Sequence, residues 1–466
     1  MLPADYSGFL EKRLDRRGRK LLSSLFKGMS SSIQRISIDR AEQIGNYRFL
    51  NNSTVGESVL IEEQKQRCGQ LSAGKVVLCI SDTTDVNFFS HANRLKSNSG
   101  LGYTAASKNG IGFKGHLCLA IDAKSFLPYG VADLSLCHRE ERQNKNDKEV
   151  YRYPIKEKES YRWIQGCKNS NDTLKAAAAV IHIQDREGDI YEQLMDLPQD
   201  DKVFYIIRSS HNRAIEGEVC LYDRLSDCKP IGTYELLLSG EGNSKQAKGI
   251  AEMEVRVLKT RLKRPRNKSA IAKLSPYTNE ITLIETKQVN ATNNTTPICW
   301  RILTTCKIET LADACQVVEW YTARWYIEEL FKVIKKENFD IESSELETGW
   351  ALRKLFSLLL DTAIKLFQFY IIREMEEGET LTSTSSFNKD EFKCLEEIAV
   401  KMEGKTEKQK NPYQKNSNHW VIWILARLGG WKGLASQRKP GMTTLIMGLE
   451  KFYNYYHIWA LQKPPG

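Results

Sequence analysis

The spacing of apolar residues changes character twice along the chain. Up to about residue 57 it is helical: LDRRGRKLLSSLF sets Leu14, Leu21, Leu22 and Phe26 against a basic side, and IDRAEQIGNYRFLNN closes in an Asn-rich turn. From about residue 75, continuous or alternating apolar runs predict strands. KVVLCISD, GFKGHLCLAID and LPYGVADLSLC come first, punctuated by Gly and Pro. LKAAAAVIHIQD predicts a helix leading into a strand, and DREGDIYEQLMDL a further helix. KVFYIIRSS is another strand, and residues 215 to 305 are strand and turn throughout: GTYELLL, AEMEVRVLKT, EITLIETKQV and CWRILTT. In AEMEVRVLK, Met253, Val255 and Val257 alternate with Glu252, Glu254 and Arg256, as in a half-exposed antiparallel strand. After residue 310 the pattern is helical again. LADACQVVEWYTARWYIEELFKVIKKE predicts one long helix and TGWALRKLFSLLLDTAIKLFQFYIIREMEE a second. Three more follow a Ser/Thr-rich linker at 378–390.

Strands interleaved with helices, then an all-β stretch, then an all-α one, predict an α/β fold: a mixed sheet flanked by helices. With 466 residues there is room for two or three domains and a sizeable core. The net charge of +10 is unevenly placed: the first 50 residues hold ten Lys/Arg against five Asp/Glu, which is half of it. Such a balance favours a polyanionic partner, although charge alone fits a merely soluble basic protein equally well. Eleven cysteines form no C-x-x-C pair, and Cys299/Cys306 and Cys220/Cys228 suit neither a zinc ribbon nor a finger. Those in apolar runs, such as Cys79 and Cys118, read as buried reduced thiols of a reducing compartment. MLPADYSGFL lacks the pattern of a signal peptide. LFSLLLDTAIKLFQFYII is interrupted by Asp361 and Lys365 and reads as a buried helix rather than a membrane span. The expectation is a soluble, intracellular protein.

Three carboxylates are candidate metal ligands. Asp82 and Asp185 each follow an apolar strand, where a side chain is fixed yet faces a crevice; Glu328 lies on the first long helix. Hard divalent cations take such oxygen ligands. Taken singly, SDTTD reads equally as an Asx turn and DRE as a helix cap. The helix face is sharper. With Tyr321 at 0° and about 100° per residue, Arg324 falls at about −60°, Glu328 at about −20°, Lys332 at about +20°, Lys335 at about −40° and Trp325 at about +40°. One stripe thus carries a phenol, a guanidinium, a carboxylate, two ammoniums and an indole. An ordinary solvated face with i,i+4 ion pairs explains the charges, but explains the two aromatics among them less well. A site on DNA explains all six: Glu328 on metal, Arg324, Lys332 and Lys335 on phosphates, Tyr321 donating to a phosphate, Trp325 stacking on a base.

The spacing Tyr-x-x-Arg-x-x-x-Glu-x-x-x-x-x-x-Lys, realised as Tyr321, Arg324, Glu328 and Lys335, resembles the signature of the insertion-sequence-four family of DDE transposases. SDTT resembles that family's first-aspartate motif and QDREGDIYEQL its second, at Asp82 and Asp185. IIRSSH resembles the strand that follows, with its arginine at Arg208, and PICWRILTT the end of the family's β insertion, with Trp300 at the tryptophan that takes the place of a flipped base. RISIDRAEQIGNYRFLNN resembles the end of its DNA-binding domain, including Arg48, and ARLGGWKG part of its C-terminal domain. The 143 residues between Asp185 and Glu328 leave room for that insertion, beyond the 103 between the aspartates.

The resemblance implies an RNase H-like catalytic core at 58–375 with a β insertion at about 215–305. An N-terminal helical DNA-binding domain at 1–57 and a C-terminal helical dimerisation domain at 376–466 complete the organisation it implies. It implies Mg²⁺, with Mn²⁺ as substitute, held by Asp82, Asp185 and Glu328. The implied partners are transposon-end DNA, target DNA and a second copy of the chain in a synaptic homodimer, with no membrane. It further implies a cytoplasmic, nucleoid-associated bacterial protein that cuts and pastes DNA through a hairpin intermediate. Three other readings stay open: a non-mobilising or inhibitory relative, an RNase H-like nuclease, and a basic architectural protein.

Overall fold

The computed structural model of the protein describes residues 3–9, 11–104, 110–139, 153–197, 201–238, 249–265, 275–291, 296–376, 387–433 and 437–462. Most of the linker at 378–390 and of the charged segment 139–160 lies outside them, as do three residues of the basic stretch 259–268. Four helices come first: α1 (Lys12–Gly28), α2 (Ile33–Ile36), α3 (Arg40–Asn51) and α4 (Glu57–Ser72). Strands β1 (Val76–Asn87), β2 (Gly102–Tyr103), β3 (Ile111–Asp122) and β4 (Pro128–Cys137) follow, then α5 (Tyr161–Thr173), β5 (Ala179–Gln184), α6 (Tyr191–Met195), β6 (Val203–Arg208) and α7 (Leu221–Ser226). Four more strands, β7 (Gly232–Leu238), β8 (Gly249–Thr260), β9 (Ile281–Gln288) and β10 (Cys299–Thr304), precede the helices α8 (Leu311–Thr322), α9 (Trp325–Lys332), α10 (Gly349–Ile372), α11 (Lys389–Met402), α12 (Asn418–Leu428) and α13 (Met442–Leu461).

All ten strands form one mixed sheet in the order β2-β3-β1-β5-β6-β10-β9-β8-β7, with β4 also on β3. β1, β5 and β6 run parallel; every other pairing is antiparallel. The β region at 215–305 is therefore no separate barrel: β10 pairs with β6 and continues the sheet outward.

Strand alternation sorts β1 into two cores. Leu78 and Ile80 join the large core that holds α10, whereas Val77 and Cys79 join a smaller one with Cys118, Ala120 and Val180. Helix α10 is apolar all round because it is covered all round. It alone is long and apolar enough to cross a membrane among the described residues, but 83% of its apolar window is buried inside the protein. Of its four charged residues, Arg353 pairs with Glu57, Asp361 accepts from Arg67, which also pairs with Glu63, Lys354 donates to the carbonyls of Leu50 and Asn52 at the end of α3, and Lys365 lies over the Phe26 ring. Phe26 of α1 stacks on Phe369 of α10 and meets Tyr453 of α13 edge-on, and Lys27 pairs with Glu391 of α11 at 2.7 Å. The first and last helical units thus share one core with the central helix.

Three expectations need correction. LKAAAA is not helical: α5 ends at Thr173, and the alanines form the turns that deliver the chain into β5. Good helix formers yield here because Ala177 must be buried and the strand must start at Ala179. The long helix through Tyr321 is in three pieces, α8, α9 and a wide π-helical turn at Val333–Glu337. Finally, β1 does not stop at Asp82 but runs on to Asn87. Of the cysteines, all free, Cys79 and Cys118 are buried, along with Cys68, Cys167 and Cys394.

Candidate active site

The site begins where two parallel neighbours part. β1 and β5 share rungs only from Val76↔Ala179 to Ile80↔Ile183. Beyond that, β1 continues against β3 alone, while β5 ends and the chain enters a 3₁₀ turn at Arg186–Gly188. Asp82 and Asp185 each lie two residues past the last shared rung. A period of two places both on the face of Ile80 and Ile183, the one that joins the large core with α10. Asp82 thus ends the doubly flanked part of β1 rather than the strand.

Each aspartate is held by a backbone N–H just ahead of it. Oδ1 of Asp82 accepts from Thr83 N–H at 2.7 Å, and Oδ1 of Asp185 from Glu187 N–H at 2.7 Å, capping the 3₁₀ turn. Arg324 supplies the nearest cation. Its Nη1 donates to Oδ2 of Asp82 at 3.3 Å and its Nη2 to Glu328, so one guanidinium bridges β1 and α9. Burial, reinforced by the charges of Asp185 and Glu328, pushes the Asp82 carboxyl up to about 6; Thr83 N–H and Arg324 oppose the shift. Burial also raises Asp185, with Glu187 adding to it.

Arg324 sits in a tightened turn. Ala323, Arg324, Tyr326 and Ile327 all bond to carbonyls three residues back, so α8 and α9 join through a 3₁₀ step. The six-residue stripe computed for a straight helix is therefore split. Tyr321, Arg324 and Trp325 line an open cavity of about 410 Å³, together with Thr322, Asp185, Arg186, Arg208 and Trp300. Trp300 lies 6.4 Å from the Tyr321 ring, and the Arg208 guanidinium 5.9 Å from it. Arg208 is fixed by donating Nη2–H to the Cys299 carbonyl at 2.7 Å, across the β6–β10 pairing. Burial holds its pKa below the ordinary value and raises that of Tyr321.

The lysines go elsewhere. Lys332 is half exposed beside Glu329, at 3.8 Å. Lys335, on the π-helical turn, donates to the Asp85 carbonyl of β1 at 2.6 Å and lies 3.4 Å from Glu342. Arg48 is exposed on α3, outside this cluster. Arg324 thus joins Asp82 and Glu328, and lines one cavity with Asp185, Tyr321, Trp325, Trp300 and Arg208; Lys332, Lys335 and Arg48 lie outside it.

Among the described residues, no three Asp, Glu, His or Cys side chains are already gathered as a metal cage. The donor chemistry nevertheless suits a hard divalent cation. Asp82 feels the charge of both Asp185 and Glu328, all three offer oxygen, and Arg324 bridges two of them. Sequence reasoning passed over Arg186, which lines the cavity, and Asp189. Asp189 is buried and accepts from both arms of Arg213 and from the Ser210 amide, fixing the loop after β6. Its position inside the second acidic segment was the available signal.

Residues 7–55, which span α1 to α3, match the family described as transposase DNA-binding. Residues 139–360 match the transposase DDE domain. The second range contains Asp185, Trp300, Arg324 and Glu328; Asp82 lies outside both.

Proposed function

Starting from a chain that is a DDE transposase, a metal-dependent enzyme with its own DNA-binding domain, we propose that it cuts and pastes a transposon in the manner of the insertion-sequence-four family, resembling the transposase of transposon five. The observation that carries the proposal is the convergence of Asp82, Asp185, Glu328 and Arg324 beside a cavity lined by Trp300, Tyr321 and Arg208. The core strands support an RNase H-like reading: β4, β3, β1, β5 and β6 lie in that order, with only the last three parallel.

In this reading Asp82, Asp185 and Glu328 hold divalent cations, Mg²⁺ with Mn²⁺ as substitute. When bound, these supply Lewis acidity at the scissile phosphate and neutralise its developing charge. Each step is an in-line displacement at phosphorus. Water attacks at the transposon end. The freed 3′-hydroxyl attacks the opposite strand, giving a hairpin; a second water opens it, and the 3′-hydroxyl attacks target DNA. Arg324 can release a carboxylate to grip a phosphate as a fork, while Tyr321 donates to a neighbouring one. A hairpin requires a sharp backbone bend that extruding a base relieves, and the Trp300 cavity suits the gap or the base. Trp325, 46% exposed, offers a stacking face. Arg208 orders the cavity, Lys332 and Lys335 track the flanking backbone, and Arg48 belongs to end binding by residues 1–57. Residues 376–466 serve the homodimer.

The test uses DNA carrying the element's terminal repeats. Glu328→Gln should abolish Mg²⁺-dependent nicking and keep end binding, whereas Trp300→Ala should nick normally but lose the hairpin. Cleavage of non-specific DNA without end binding would favour a plain nuclease. End binding without cleavage in the unmodified protein would favour a non-mobilising relative. Unchanged activity in Glu328→Gln would sink the site.

A further inference from the structure

Two aspartates from different strands can share a cation only if their separation is held, and the backbone amides that orient them belong to strand β1 and to the 3₁₀ turn after β5. One side chain spans both. Arg162, at the start of α5, donates Nε–H to Thr83 Oγ1 at 3.0 Å and Nη2–H to Glu187 Oε2 at 2.9 Å. Thr83 and Glu187 are the very residues whose N–H groups bind Asp82 and Asp185. The third direction of the guanidinium is anchored as well, because Nη1 donates to the Glu159 carbonyl at 2.9 Å. The side chain is only 15% exposed.

The network continues inward. A guanidinium only donates, so it occupies a lone pair of Thr83 and leaves the hydroxyl proton for Nδ1 of the buried His116, 2.8 Å away. The ring is itself fixed edge-on against Trp163, the next residue of α5, at 4.9 Å. Helix, strand and turn are thereby tied at one point.

We infer that Arg162 is a positioning residue that sets the spacing and orientation of Asp82 and Asp185. The inference rests on the proposed reading of those two as metal-holding carboxylates. Geometry and charge make opposite predictions, which gives the test its power. Removing a cation near a metal site should, by Coulomb's law alone, tighten divalent-ion binding. Removing a clamp should loosen it, and loss of an outer partner typically weakens a metal site on the order of 10–100-fold.

The measurement is Mn²⁺ binding to the full-length protein by electron paramagnetic resonance, with thermal unfolding in metal-free buffer alongside. Arg162→Met should weaken binding about tenfold or more. Arg162→Lys should also weaken it, since an ammonium keeps the charge but not the fork. Thr83→Val changes no charge and keeps the shape of the strand; it should weaken binding by a smaller factor and decides the matter if Arg162→Met fails to fold. Unchanged or tighter binding in Arg162→Met, or in Thr83→Val when that variant decides, overturns the clamp. Asp82→Asn and Asp185→Asn separate the two levels. If they lose Mn²⁺ while Arg162→Met does not, the clamp alone is wrong. If they bind it like the unmodified protein, the carboxylate reading fails and takes the clamp with it.

Discussion

Asp82 is where burial and charge work against each other. Its carboxyl is raised to about 6 by burial first and by two neighbouring carboxylates after that. A raised carboxyl binds its proton more tightly folded than unfolded, where the value is about 3.9. Its contribution to stability is therefore fully present below about pH 4 and lost as the pH climbs through about 6. Asp82→Asn keeps the shape and removes the charge. In metal-free buffer at pH 7.5 it should melt higher than the unmodified protein, by about 1–3 °C. At pH 4 the gap should close, and added Mn²⁺ should stabilise only the unmodified protein. A variant that melts lower at pH 7.5 would show that Asp82 is structural rather than strained. Both aspartates were legible in the sequence as carboxylates after apolar runs. The contact between Arg324 and Asp82 was not, since 242 residues separate them and only the packing of α9 beside β1 joins them.

At the level of elements, period and composition found the strands and most helices, because burial on one face leaves its mark in the sequence. They failed where a local preference was overruled. The alanine run before β5 is a connector, and the stripe through Tyr321 bends twice, at a 3₁₀ step and at a π-helical turn. A straight-helix projection cannot register either, because no proline or glycine marks them. Close helix packing was equally hidden. A Cβ on Gly448 of α13 would stand 1.9 Å from the Leu425 carbonyl oxygen of α12. Gly448→Ala must push these helices apart, at a cost of about 2–4 kcal/mol. Chemical denaturation should show that loss. Replacing exposed Met447 next to it with Ala should change stability by less than about 0.5 kcal/mol.

For the molecule as a whole, the sequence suggested three units, and the core joins them. Phe26 of α1 lies between Phe369 and Tyr453, Lys27 pairs with Glu391, and Arg35 pairs with Glu450. A chain ending at residue 376 would uncover the apolar side of α10 that faces α12 and α13, together with Phe26. It should bind a hydrophobic dye and aggregate, and a well-behaved monomer with an unchanged melting point would contradict the shared core. No pattern within α1 could have revealed which helices cover its apolar side, since amphipathicity names a face and not its partner.

The bridge made by Arg324 has a consequence for binding order. One guanidinium bridges Asp82 and Glu328, so a divalent cation that takes up the same two oxygens displaces Arg324 from them. Once released, it is a free fork at the edge of a cavity suited to DNA. Occupation by divalent ion and by phosphodiester should then be heterotropically linked. Each would raise the other's affinity by the same factor. On the proposed reading, this centre would take up metal and DNA more tightly together than apart.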